Sequence, residues 1–177
     1  MRKAIFYYKR AVLANEPNSQ YKLGLYYLNG SFVPKNVIYG LELIQKAAEN
    51  RTFDAFFTLG FIYHEGRLIL VKRDITKAIH FYKEGSSLND QYSKNNLGVI
   101  YKNGFYDTFS NKIIPKNIGY SIELFNEAIK QKKDILAIYN LSTIYLYENP
   151  VNINNIDNII KLLIHSSIDR SIRVGQR

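Results

Sequence analysis

Three histidines, His64, His80 and His165, are the residues of this chain best suited to metal binding or proton transfer. A zinc site needs three or four ligands at short, characteristic spacings. These imidazoles lie far apart with no ligand spacing between them, and there is no cysteine to complete a set. The same lack removes disulfides and thiol nucleophiles. No grouping of serine, histidine and carboxylate for acyl transfer can be identified. LGLYYLNG, Leu23 to Gly30, holds two glycines as a phosphate loop does, but it lacks the loop's lysine and follows no strand. The sequence therefore reads as no enzyme, with no catalytic residue, no cofactor and no metal.

Binding chemistry is better represented. The 177 residues carry a net charge of +9, and 14% are aromatic. Such a charge suits an acidic protein, an anionic membrane surface or nucleic acid. Abundant Lys, Asn, Ile and Tyr, as an AT-rich coding sequence gives, explain it equally well. With 46% hydrophobic residues, the chain can bury a core. The start, MRKAIFYYKRAVLANEP, has an apolar run too short for a signal peptide. No window is apolar and long enough to span a membrane. The short apolar start and the absence of cysteine favour a cytoplasmic location without fixing it. Three N-x-S/T sequons, at Asn29, Asn50 and Asn140, read as chance in an Asn-rich chain.

What must position any binding residue is an internal repeat. The pair Leu-Gly recurs at Leu23-Gly24, Leu59-Gly60 and Leu97-Gly98, and returns as Leu141-Ser142. Four positions before each Leu stands Ser19, Ala55, Ser93 or Ala137, and three after each Gly or Ser stands Tyr27, Tyr63, Tyr101 or Tyr145. Six after each Gly comes Gly30, Gly66 or Gly104. A second block follows each first, aligned on Asn36, Asp74, Asn117 and Asn155. Four positions on stand Gly40, Ala78, Ser121 and Ile159, and eleven on stand Ala47, Gly85, Ala128 and Ser166. Between them, seven and eight on, come Leu43-Ile44, Phe81-Tyr82, Leu124-Phe125 and Leu162-Leu163.

Both blocks have helical spacing. Asn or Asp opens the second helix as an N-cap, with Pro34 and Pro115 just before it. Gly30, Gly66 and Gly104 are expected to close the first helix in the left-handed conformation. Glycine inside a helix costs about 1 kcal/mol against alanine, so Gly24, Gly60 and Gly98 imply close packing. Their expected small partners are Ala47, Gly85 and Ala128. The frame divides the chain into a leading half-repeat (1–14), four repeats (17–49, 52–87, 90–131 and 134–168) and a basic tail (169–177). The exposed ends suit either self-association or a fragment of a longer array.

These residues resemble the Sel-like repeat, a longer relative of the tetratricopeptide repeat, with Tyr21-Lys-Leu-Gly-Leu-Tyr-Tyr and Gln45-Lys-Ala-Ala as clear matches. The resemblance runs over about residues 2–168 and weakens in the fourth repeat, where Ser142 replaces Gly and Glu148 the turn Gly. It implies an all-α fold, a right-handed α/α superhelical solenoid of about four helix-turn-helix repeats plus the leading half. It implies a noncatalytic scaffold or adaptor for other proteins.

By analogy with related solenoids, a partner protein or peptide is expected in a concave groove lined by the first helices. The residues assigned to it are Tyr21, Leu25, Leu28, Phe57, Phe61, His64, Asn95, Val99, Lys102, Tyr139 and Thr143. Lys35, Lys72, Arg73, Lys112 and Lys116 recur between the two helices of each repeat. They form either a solvated loop or a basic edge that attracts an acidic partner. Nucleic acid fits less well, because the aromatic residues occupy core positions. The third repeat's loop, 103–116, is longer than the others and carries Phe105, Tyr106 and Phe109. It is either a functional loop, with these rings tucked back, or a drifted insertion. A drifted or truncated array with no partner is the rival reading of the whole chain.

Overall fold

The computed structural model describes residues 2–66, 68, 71–108, 111–132 and 134–147, together with Asp157, Ile160 and Ile164. Among them are eight helices: α1 (Arg2–Leu13), α2 (Pro17–Asn29), α3 (Val37–Glu49), α4 (Phe53–Glu65), α5 (Ile75–Ser87), α6 (Gln91–Asn103), α7 (Ile118–Lys132) and α8 (Ile135–Tyr147). Two short paired strands, β1 (Phe105–Asp107) and β2 (Lys112–Ile114), fill the long loop. The first-block helices are α2, α4, α6 and α8; the second-block helices are α3, α5 and α7, with α1 as the second helix of the leading half-repeat. The second block of the fourth repeat, with its cap Asn155 and His165, lies outside the described residues, as do Phe109 and the tail.

Each turn from first to second helix is closed the same way despite its changing length. Gly30, Gly66 and Gly104 end their helices at φ of 71°, 61° and 64°, a region open to glycine without steric cost. The amides of Asn36, Asp74 and Asn117 then donate to the carbonyls of Tyr27, Tyr63 and Tyr101 at 2.9, 2.9 and 2.8 Å. The same three side chains cap the next helix, accepting from the amides of Tyr39, Lys77 and Tyr120. The clasp lies at both ends of the loop, so residues between them can be added freely. In the third repeat the addition is the β1–β2 hairpin. Its Asp107 is 2% exposed and accepts from the Thr76 amide at 3.1 Å and the Thr76 hydroxyl at 2.9 Å. Tyr106 is 58% exposed and does not tuck back.

The return turns from α1 to α2, α3 to α4 and α5 to α6 share one length. The amides of Glu16, Thr52 and Asp90 donate to the carbonyls of Ala11, Ala47 and Gly85, each at 3.0 Å. Just before these donors, Asn15, Arg51 and Asn89 take φ of 56°, 59° and 63°.

The interior glycines have different partners from those the sequence suggests. A β-carbon on Gly24 would lie 2.7 Å from Ile44 Cγ1 and 2.9 Å from the Gly40 carbonyl. On Gly60 it would meet the Tyr82 ring at 2.6 Å, and on Gly98 the Phe125 ring at 2.7 Å. The notch therefore admits the large side chain eight positions after the cap, rather than the small residue eleven after it. Ile44, Tyr82 and Phe125 are each 0% exposed. Burying such a side chain stabilises by about 1.5–3 kcal/mol, which exceeds the cost of the helical glycine. The small residues eleven after the cap serve the next repeat: a β-carbon on Gly85 would strike Ser93. In α8, Ser142 stands at the notch and turns its hydroxyl back to the Ile138 carbonyl at 2.8 Å.

By contacts the chain forms two compact units, Met1–Ser93 with Tyr106–Lys112, and Lys94–Phe105 with Ile113–Arg177. The first has a core of Leu28, Ile44, Ala47, Ala48, Ala55, Leu59, Ile62 and Val71. The second is built on Phe125, Ala128, Ile129, Ala137, Ile138, Leu141 and Ile144.

Candidate functional site

The residues assigned to the groove occupy three recurring positions of the first helices. They stand two, six and nine residues after the small residue. In the first unit these are Tyr21 and Phe57, Leu25 and Phe61, and Leu28 and His64. Leu28 is 6% exposed and belongs to the core, so it offers no contact surface. Tyr21 and Leu25 are half-buried, and the Tyr21 hydroxyl lies 3.2 Å from Thr58 Oγ1 on the next first helix. Phe57 stacks on Phe61 with ring centres 6.2 Å apart and meets Tyr92 at 5.6 Å. Phe61 is 45% and Tyr92 49% exposed. The result is a partly open aromatic strip. Tyr92 was not foreseen, because nothing recurs at the position just before the small residue.

The Tyr82 ring lies beneath this strip, 6.4 Å from Phe57 and edge-on to His64 at 6.1 Å. Its hydroxyl is buried and has no hydrogen-bond partner. Burial pushes this phenol well above the usual tyrosine range, and the charges of Glu65 and Asp90 add to the shift. Burial also lowers the His64 pKa; Arg73 lowers it further and Glu65 opposes. His80, on α5, is exposed and lines a separate groove with Phe56, Phe81 and Glu84. The structure thus brings His64 and His80 to different surfaces.

In the second unit the same positions are partly spent on joining repeats. Asn95 is 6% exposed, and its Oδ1 accepts from Asn140 Nδ2 at 3.0 Å. This pair repeats the register of Tyr21 and Thr58: two after the small residue in one repeat, three after it in the next. Burial in that tie removes Asn95 from the contact surface. Lys102 Nζ donates to Thr143 Oγ1 at 2.8 Å, and Val99 packs on the core. Tyr139 is 63% exposed.

Lys35, Lys72, Arg73, Lys112 and Lys116 are all exposed. Three of them have a structural task as well. Lys35, Arg73 and Lys116 each stand just before an N-cap and lie against the left-handed glycine of the same turn. A β-carbon there would come within 3.1, 2.5 and 3.0 Å of them. Their backbone closes the turn while their charge stays at the surface.

The recurring aromatic contact is a further feature that sequence reading missed. The residue three after the cap sits on the repeat tyrosine: Tyr39 on Tyr27 at 4.9 Å, Tyr120 on Tyr101 at 5.0 Å. In the second repeat Lys77 takes this place, with its ammonium 5.1 Å from the Tyr63 ring, a cation–π contact. An alignment by residue type alone hides the equivalence of lysine and tyrosine here.

The Sel1 repeat model matches residues 1–15, 17–51, 57–90, 91–133 and 135–153. The chain belongs to the Sel1 repeat family. It is similar to the chitin synthase regulator SKT5 of Saccharomyces cerevisiae, 31% identical over 152 residues, which covers 82% of this chain and 21% of the yeast protein. The chain thus spans about a fifth of that relative. Among solved structures it is similar to a Sel1 repeat protein from Oxalobacter formigenes, with a TM-score of 0.76 and 23% identity. That match covers 93% of this chain and 64% of the other. It is also similar to c5321, a protective antigen of uropathogenic Escherichia coli with an SLR fold, with a TM-score of 0.69 and 23% identity over 80% and 28% of the two chains. Helicobacter pylori cysteine rich protein B gives a TM-score of 0.52 at 24% identity, over 76% of this chain and 90% of that one. These likenesses place the Sel1 chain among all-α helical repeat solenoids. Among the described residues no group of His, Asp and Glu is placed to hold a metal, and no helix is long and apolar enough to cross a membrane.

Proposed function

We propose that this Sel1 repeat chain is a noncatalytic scaffold that binds a partner protein or peptide through the exposed face of its first helices. The observation that carries the reading is the aromatic strip of Phe57, Phe61 and Tyr92. Two of its rings stand about half exposed, at positions where no residue type recurs along the repeat. Large, stiff aromatic rings supply contact area at low entropic cost, and interfaces are enriched in them. Tyr139 offers the same chemistry on the second unit. The yeast relative is a chitin synthase regulator, which supports a role in regulating another protein.

The test is crosslinking and mass spectrometry of the native chain against a cell extract, in parallel with a Phe61→Ala/Tyr92→Ala variant of unchanged melting temperature. Crosslinks should map to the first-helix face and disappear in the variant. A partner recovered equally by both chains would refute the reading. A second reading rests on the exposed basic residues of the first unit, Lys35, Lys72, Arg73 and Lys112: an acidic partner held by these turn cations. Salt-dependent binding lost in a Lys35→Glu/Arg73→Glu variant, but kept in the aromatic one, would favour it.

A further inference from the structure

On another surface of the first unit, α3, α4 and α5 enclose a groove of 580 Å³. Its floor is apolar: Ala48 and Leu59 are buried, and Phe56 and Phe81 are half-buried. Comparison with the preceding turn of the repeat shows why it is open. There the positions equivalent to Ala48, Arg51 and Phe56 hold Val12, Asn15 and Gln20. Gln20 is 1% exposed, and its Nε2 reaches Asn15 Oδ1 at 3.5 Å. Arg51 and Phe56 cannot form that tie, a phenyl ring having no hydrogen-bonding amide, and Ala48 is smaller than Val12. The groove thus departs from the turn before it. Its volume lies within the range of about 300–1,000 Å³ typical of ligand clefts.

Its charge departs as well. Glu49 and Glu84 line the groove against one cation, Arg51, while the chain as a whole carries +9. At the positions equivalent to the two glutamates, the preceding turn has Leu13 and Lys46. An acidic rim around an apolar floor selects an apolar anchor flanked by cations. We infer that this groove docks a partner segment presenting one or two large apolar side chains next to Lys or Arg. It is a second binding surface, independent of the aromatic strip.

The test is selection of a displayed random dodecapeptide library on the full chain, with counter-selection on Glu49→Lys/Glu84→Lys. Glu49 is exposed and Glu84 half-buried, so circular dichroism melting checks that the variant folds. The enriched peptides should combine Leu, Ile, Phe or Met with Lys or Arg. A synthetic copy of one should lose affinity at least about tenfold on the reversed variant, and progressively with salt. It should bind Phe61→Ala/Tyr92→Ala like the wild type, so this proposal and the preceding one fail separately. No enrichment, an acidic or uncharged consensus, or equal affinity for the reversed variant overturns the inference. So does concentration-dependent dimerisation abolished by the same reversal, which assigns the groove to a second copy.

Discussion

Gly60→Ala sets two effects of known size against each other. In a helix interior, alanine is favoured over glycine by about 1 kcal/mol. At Gly60, however, the new methyl would stand 2.6 Å from Cδ1 and Cε1 of Tyr82 and 3.1 Å from its Cγ. Carbon atoms rest at about 3.5–4.0 Å, so the ring must retreat by roughly 1 Å. Tyr82 is 0% exposed and has Phe57 and His64 beside it, so it has little room. Overpacking of this kind costs about 1–3 kcal/mol, at the upper end where the neighbour is rigid. The net expectation is a loss of about 1–2 kcal/mol. For a chain of this length that lowers Tm by about 2–8 °C. Gly119→Ala is the control: its β-carbon would meet only Asn117 Oδ1, at 3.7 Å. That variant should be stabilised by up to about 1 kcal/mol. In a Tyr82→Leu background the penalty at Gly60 should shrink, giving a coupling term in a double-mutant cycle. The assay is thermal and urea unfolding followed by circular dichroism. If Gly60→Ala is as stable as Gly119→Ala, the notch account of the repeat glycine is wrong.

Other substitutions probe polar groups placed by the fold. Tyr82→Phe removes a buried hydroxyl without a partner, so it should leave stability unchanged or raise it by up to about 1 kcal/mol; a clear loss in urea titration would mean the hydroxyl is bonded. Asp107→Ala removes the carboxylate that accepts from the Thr76 amide and hydroxyl and should cost about 1–3 kcal/mol; an additional Thr76→Val change should cost little more, and fully additive losses would contradict the pairing. His64 has a folded pKa below 6.5, mainly through burial. The unfolded imidazole then takes up a proton first, so its contribution is complete above about pH 6.5 and is lost as pH falls below that. Between pH 7.5 and 5.5, wild type should lose more Tm than His64→Asn, and parallel losses would refute this.

The regular part of this protein was legible because it is local. Leu-Gly, the tyrosine, the turn glycine and the Asn or Asp cap recur at fixed offsets, and each offset expresses helix geometry or a preference in φ. Those offsets gave the helix pairs, the left-handed glycines and the three caps within the described residues. What they could not give was the identity of any partner across space. The glycine notch was read as a place for Ala47, Gly85 or Ala128, yet Ile44, Tyr82 and Phe125 fill it. A small residue in sequence announces close approach without saying what approaches. The clasps between turn ends are backbone hydrogen bonds, which leave no mark on residue type. The substitution of Lys77 for a tyrosine is visible only once the ring beneath it is known.

Candidate surfaces divide along the same line. Sequence alone set the three positions on the first helices from which partner-binding residues could be drawn, because the other positions were already claimed by the repeat. Only packing decided among them: Leu28 and Asn95 are buried, Tyr21 and Lys102 tie neighbouring helices, and Phe61 and Tyr139 face solvent. Only packing, too, revealed Tyr92 beside Phe57 and the acidic groove over Ala48. Exposure depends on side chains distant in the chain, so it is a property of the tertiary arrangement. The repeat period is a property of the helix itself, which is why the sequence determined it unaided.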